Sequence, residues 1–426
     1  MGRGLSMGGT TRRRFALSAA AIVGLLLAAV PWAGAAGGNA AGGPKPGGVA
    51  HILSHITGGP FAAPSGFAPT QIRNVYGFNA MGKDAKGRPI SGQGQIIGVV
   101  LWDSDEYLQS DISTFLKTYS YLEPMNGLTA KTPCTVSTTI HATPCFQVAY
   151  ATGTKPPPMN QSSMGEASLD AEWAHVTAEG ADILFVESAG TTGPDLLAGV
   201  KKAVSMGATV VSMSWDQTGI SAADNSDFDV STAGFVSGSG DYGCPDNSGQ
   251  VYPSGSSYVL SVGGTELTID GSQSTQTTWS KSGGYANTTE SRPGYQLNWS
   301  TSPYRVDNDV AYNAVDYPVT IEGDWYEENG VSAGIPQWAG LIADADQARA
   351  ALGKSVLAAS GLPDGIYLAA NSHESKPGVI DPAMFTDIKT GSAGSATECK
   401  AAKGWDWPTG LGTPNAAGLV NELADL

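Results

Sequence analysis

Continuous apolar runs constrain this chain more than any other feature. They are QIIGVVLW at Gln95–Trp102, ADILFVES at Ala181–Ser188 and TVVSMSW at Thr209–Trp215. Such Val-, Ile- and Leu-rich runs mark strands covered on both faces. Helix-like stretches alternate with them. One covers Glu166–Glu179 and stops at Gly180; a second covers Asp195–Met206 after a Gly-Pro; a long one follows Ser332. Shorter strand-like runs stand at Phe235–Ser237 and Tyr258–Val262. The pattern predicts an α/β fold, a mostly parallel sheet with helices on both faces. No internal repeat is visible, so residues 69–426 are read as a single large domain.

The chain before residue 69 reads differently. TRRRFAL at Thr11–Leu17 precedes an apolar run to about Val30 and the small-residue stretch WAGAAGG. A charged start, a short apolar core and an A-x-A-like end predict a signal peptide over residues 1–36, twin-arginine-like in its Arg-Arg-Arg-Phe. Residues 37–68 are rich in Gly, Pro and Ala and predict a mobile linker or a trimmed N-terminus. No later run is long enough to span a membrane. The expected product is a secreted, extracellular protein without a membrane segment.

Charge agrees with export. The chain holds 23 Lys and Arg, 39 Asp and Glu and a formal net charge of -16. Residues 1–36 contain four arginines and no acid, so their removal leaves 19 basic residues against 39 acidic ones. This excludes nucleic-acid binding through a basic surface. Four cysteines fit an oxidising compartment. Cys134 and Cys145 bracket a short loop and read as a local disulfide. Whether Cys244 and Cys399 pair is left open.

Gly330-Val331-Ser332-Ala333-Gly334 fits G-x-S-x-G at a helix start, where a Ser can be presented as a nucleophile near free N–H groups. A nucleophilic Ser needs a base. Histidine is scarce, with 5 in the chain. His51 and His55 fall in the linker, His141 between two cysteines and His175 in an apolar helix. His373, in NSHESKPG, would suit an α/β-hydrolase order. Glu166 and Asp170 stand one helical turn apart on one face. Leu169, Trp173 and Val176 mark that helix as part of the core. A stacked carboxylate pair can share a proton and serve as base at acid pH, where imidazole is already protonated. Asp241, in SGSGDYG, follows a strand and sits at its carboxyl end, the edge where parallel sheets build sites.

Together these segments resemble one family. GEASLD, SGSGDYG, YPSGSSYVLSVGGT, NGVSAGIPQWAGL and GWDWPTGLGTP occur in the order found in the sedolisins, the serine-carboxyl peptidases. FAPTQIRNVYGFN and VVSMSWDQ resemble the family's entry segment and central strand. The resemblance covers about residues 67–426 and implies a subtilisin-like fold. It implies Ser332 as nucleophile, Glu166 as base and Asp170 as its partner. Asp241 would complete an oxyanion hole with the Ser332 N–H. It also implies one structural Ca²⁺, held by the Asp387 and Asp406 carboxylates and the carbonyls of Ile388, Ala402 and Gly404. Oxygen ligands suit that ion.

The chain departs from the family's pattern at Val331, where Thr is usual, at SGGYANTT, where Tyr285 and Ala286 interrupt a Gly-rich stretch, and at RVDNDVAYNA. It also departs before the domain, since residues 37–68 are too few for a stable folded prosegment. The expectation is a secreted serine-type peptidase, monomeric, acting on polypeptides at acid pH. Two other readings stand beside it: an esterase using Ser332 and His373, and an inactive binding protein of the same fold.

Overall fold

The computed structural model describes Met1 and residues 49–218, 222–245, 252–374 and 376–426. Residues 46–426 form one compact unit. The expected signal over 1–36 lies outside the described residues apart from Met1, as do residues 37–48.

Two short strands come first, β1 (His51–Ile52) and β2 (His55–Phe61), followed by helix α1 (Pro69–Val75). Next are β3 (Ile96–Trp102), α2 (Leu108–Thr118), β4 (Phe146–Tyr150), α3 (Gln161–Thr177), β5 (Asp182–Ser188) and α4 (Gly193–Ser205). The middle of the chain gives β6 (Val210–Met213), β7 (Trp215–Asp216), β8 (Gly234–Gly238), β9 (Leu260–Asp270) and β10 (Gln273–Thr278). Then β11 (Ala286–Ser291), β12 (Tyr304–Val306), β13 (Val310–Asn313), β14 (Tyr317–Ile321) and β15 (Asp324–Asn329) lead into α5 (Gly334–Ala351).

The expected parallel sheet is present. Its eight strands run β10-β9-β8-β6-β3-β5-β4, with β13 also paired to β9. Every pairing is parallel except β10 with β9. The apolar runs read from sequence supply β3 and β5, whose residues are all buried. They lie side by side in register from Ile96–Asp182 to Trp102–Ser188. Helix α4 packs on β3 and β5, and α5 on β6 and β8. Gly98 faces Ala203 of α4, where an added Cβ would stand 3.0 Å from the alanine methyl. Burying whole strands on a layer of helices makes the apolar core continuous.

Helix α3 is the buried helix. Asn160 caps it, its side chain accepting from the Ser163 N–H at 3.1 Å. All of Ser163–Thr177 is buried. Gly340 of α5 lets the two helices touch, because a Cβ there would meet Thr177 Oγ1 at 2.1 Å.

Residues 49–61 do not form the mobile linker expected of 37–68. β1 pairs antiparallel with β7, and β2 with β15. Composition predicted coil, but β7 and β15 present strand edges whose N–H and C=O groups accept another strand. Ala50 and Leu53 bury their side chains in the core. Both disulfides are formed, Cys134–Cys145 as expected and Cys244–Cys399 across 155 residues.

Candidate functional site

Helix α3 carries Glu166 and Asp170 one turn apart, both fully buried. Ser214, just before β7, donates its hydroxyl to Asp170 Oδ1 at 2.6 Å. Neither Glu166 oxygen makes a hydrogen bond of ordinary geometry among the described residues, although the Ser332 and Ser54 hydroxyls lie near enough to favour its charge. A helix can bury such a pair only if the acids are neutralised, share protons or serve chemistry.

Ser332 lies on the single turn Val331–Ala333 between β15 and α5. It is fully buried, and its hydroxyl is likewise without a partner among the described residues. Gly330 precedes the turn because nothing larger fits. A Cβ there would stand 2.1 Å from the Leu53 carbonyl oxygen and 2.9 Å from Asp241 Oδ2. Asp241 follows β8, at the carboxyl end of the strand as expected. Its Oδ1 accepts the Val331 N–H at 3.0 Å, and Oδ2 lies 3.8 Å from His55 Nδ1. Thus Asp241 and Ser332, far along the chain, come to lie beside the Glu166–Asp170 pair of α3.

The chain's own residues 49–55 run through that site as an extended strand. The Ala50 N–H donates to the Thr191 carbonyl at 2.9 Å. His51 and Ile52 pair with Asp216 and Trp215. The Leu53 N–H donates to the Ser214 carbonyl at 3.3 Å, and the Leu53 carbonyl accepts from the Ser332 N–H at 3.1 Å. Ser54 then donates its hydroxyl to Glu328 Oε2 at 2.7 Å, and His55 pairs with Asn329. A peptide carbonyl therefore sits where the candidate nucleophile's own amide can polarise it.

Burial is the main cause that raises the Glu166 carboxyl well above its ordinary value. The charges of Asp170 and Glu328 add to the rise, and the hydroxyls of Ser332 and Ser54 oppose it. Asp170 is raised by burial too, with Ser214 opposing and Glu328 adding. Asp241 is raised by burial, against the opposing bonds from His55 and Val331 and the charges of His55 and Lys281. A protonated Asp241 can donate a hydrogen bond, which an ionised one cannot.

The histidines take no part in the Ser332 cluster, apart from His55 at its rim. His373 is exposed and bonded to Asp381 at 2.8 Å, not to Ser332. His175 is buried, its Nε2 on the Glu123 carbonyl at 2.7 Å, and burial lowers it to about 4. His141 pairs with Asp182.

The expected calcium residues gather in one loop cluster. Asp387 accepts the Gly404 N–H through both oxygens, and Asp406 Oδ2 accepts the Ala402 N–H at 2.8 Å. Burial raises the Asp406 carboxyl to about 7, and the charge of Asp387 adds to this. Ile388 is buried between them in sequence. Among the described residues, no group of three or more His, Cys, Asp or Glu is placed to hold a metal ion.

Sequence reasoning missed Leu53, Ser54, Ser214 and Glu328. Glu328 had a signal, since strand alternation in DWYEEN turns Glu327 outward and Glu328 inward. Leu53 and Ser54 had none, because they reach the site through pairings with β7 and β15, far along the chain.

No family model matches the chain. Kumamolisin from Bacillus sp. (strain MN-32) is 26% identical over 400 residues, 85% of this chain and 64% of kumamolisin. The chain therefore spans just under two thirds of that relative's length. Sedolisin from Pseudomonas sp. (strain 101) is 28% identical over 212 residues, 43% of this chain and 34% of sedolisin. The structure of Pseudomonas sedolisin, described as a serine-carboxyl proteinase complexed with two molecules of pseudo-iodotyrostatin, superposes with a TM-score of 0.64. That match has 22% identity and covers 84% of this chain and 98% of the other. The chain is thus similar in sequence to kumamolisin and sedolisin and shares the sedolisin fold.

Proposed function

We propose that this protein hydrolyses peptide bonds at acid pH as a serine-carboxyl peptidase. One observation carries the reading: an extended peptide lies across the site with its Leu53 carbonyl on the Ser332 N–H. In this reading the Ser332 hydroxyl attacks a substrate carbonyl while Glu166 takes its proton. Asp170, held by Ser214, orients Glu166, as an acid orients histidine in other triads. The oxyanion is met by the Ser332 N–H and a protonated Asp241. Glu166 then returns the proton to the leaving amine, and water activated through Glu166 hydrolyses the acyl-enzyme.

The esterase reading needs His373 beside Ser332, and the structure pairs that histidine with Asp381 at the surface instead. The binding-protein reading remains distinguishable by experiment. Cleavage of an unfolded protein at acid pH, lost in Ser332→Ala, supports a peptidase; equal cleavage by both proteins, or none by either, overturns it.

A single structural calcium ion is part of this reading, resting on the nearness of Asp387 and Asp406 in the 387–406 loop cluster. Asp387, Asp406 and the carbonyls of Ile388, Ala402 and Gly404 would hold it, and two facing carboxylates would gain a hard cation between them. That ion would stiffen the loops around Thr409, with no part in the reaction. Two disulfides support an oxidising, extracellular setting. With the Arg-rich apolar N-terminus, they support export through a signal over residues 1–36. Among the described residues, no helix is long and apolar enough to cross a membrane. The working form is taken to be a monomer acting on polypeptides.

A further inference from the structure

Glu328 is a third buried carboxylate beside Glu166 and Asp170, and the reaction above does not use it. It is fully buried on β15, four residues before Ser332. Its charge adds to the rise of both Glu166 and Asp170. Helix α3 makes room for it. Gly165 has no side chain, and a Cβ there would stand 1.8 Å from Glu328 Oε1. A carboxylate given this much space in a closed interior serves a partner.

The partner in this structure is Ser54, whose hydroxyl donates to Glu328 Oε2 at 2.7 Å. Glu328 Oε1 has no hydrogen-bond partner among the described residues. Ser54 is not just any neighbour. It directly follows Leu53, whose carbonyl lies on the Ser332 N–H and whose own N–H lies on the Ser214 carbonyl. Residues 50–53 thus hold the place of the acyl half of a peptide, and Ser54 the first residue of the leaving half.

We propose that Glu328 selects the residue on the leaving side of the cleaved bond, favouring the hydroxyl-bearing side chains serine and threonine. The proposal rests on the peptidase reading above and names the substrate feature that the same site would recognise. When residues 49–55 leave the cleft, Glu328 loses its Ser54 hydrogen bond. An incoming serine or threonine restores it, and an alanine leaves a buried acid without a donor. Burial raises the Glu328 carboxyl to about 8, with the Ser54 bond opposing the rise. Protonated or ionised, one of its oxygens still accepts from a hydroxyl.

The test uses the full-chain protein, held at acid pH until intact mass shows residues up to Leu53 cut, and internally quenched peptides that differ only in the residue after a scissile leucine: serine, threonine, alanine or lysine. Serine and threonine peptides should exceed the alanine peptide about tenfold in kcat/KM, the size of one hydrogen bond to an ionisable group. Glu328→Gln keeps an acceptor oxygen and should keep a smaller preference. Glu328→Leu should abolish it. The wild-type ratio and the near-isosteric Gln variant carry the test if the Leu variant fails to fold. Equal cleavage of serine and alanine peptides, a preference for lysine, or a preference surviving in Glu328→Leu overturns the proposal and leaves the peptidase reading standing. Cleavage of no peptide by the wild type overturns both.

Discussion

The backbone N–H of Ser332 donates to the carbonyl of Leu53 at 3.1 Å, so the protein's own chain crosses the proposed site. The full chain should therefore be slow toward added peptides until residues 49–55 are displaced or cut. Held at acid pH, it should accumulate a form beginning at Ser54, read by intact mass. Ser332→Ala should keep the bond intact. A Ser332→Ala protein that still loses residues up to Leu53 would assign that cut to another protease.

Glu166 is the group whose replacement should cost most after Ser332 itself. Glu166→Gln keeps the size of the side chain and removes the base, so kcat should fall roughly 10⁴-fold, as for other triads. Asp241→Asn should cost less, about 10²–10³-fold, because an amide still donates to the oxyanion. The two rates come from one peptide at one pH. A Glu166→Gln protein as active as the wild type would remove the carboxylate-base mechanism.

Buried acids set the direction of the pH dependence of stability. Glu328 is raised from an ordinary 4.5 to about 8, chiefly by burial, with Glu166 and Asp170 facing it. Glu187 is raised to about 7 and Asp105 to about 6, again chiefly by burial. A raised group binds its proton more tightly in the folded state. Its contribution is therefore full below about 4.5 and is lost as pH rises toward about 8. Melting temperature should be higher near pH 4.5 than near pH 8, with several kcal/mol at stake on the order of 1.36 kcal/mol per unit. A protein that melts higher at neutral pH would contradict this ordering of the acids.

Chelation should separate the calcium reading from the rest. If Asp387 and Asp406 share an ion, a chelator should lower the melting temperature and excess calcium should restore it. Asp387→Asn should melt low and stop responding to calcium. No shift in either direction would mean that the carboxylates hold no ion.

Much of the architecture was legible because burial writes itself into sequence. IIGVVLW and DILFVES could be nothing but covered strands, and they became the central β3 and β5. The burial of Glu166 and Asp170 was legible because the acids stood in a helix otherwise fit for the core. The turn positions of Asp241, after β8, and Ser332, before α5, were legible through their flanking glycines. The path of residues 49–61 was not, because Gly- and Pro-rich composition reports local flexibility and is blind to the edges that β7 and β15 present. Ser54 meets Glu328 across 274 positions, a relation no local pattern encodes. The Cys244–Cys399 pairing was closed to sequence for the same reason.

The most direct test of the account is the cleavage of an unfolded protein by the wild type, Ser332→Ala and Glu166→Gln, followed between about pH 3 and 7, a range spanning ordinary carboxylate values. The account predicts cleavage by the wild type that is strongest on the acid side, and none above background by either variant. Wild-type activity that peaks at neutral pH, or that survives in either variant, would contradict it.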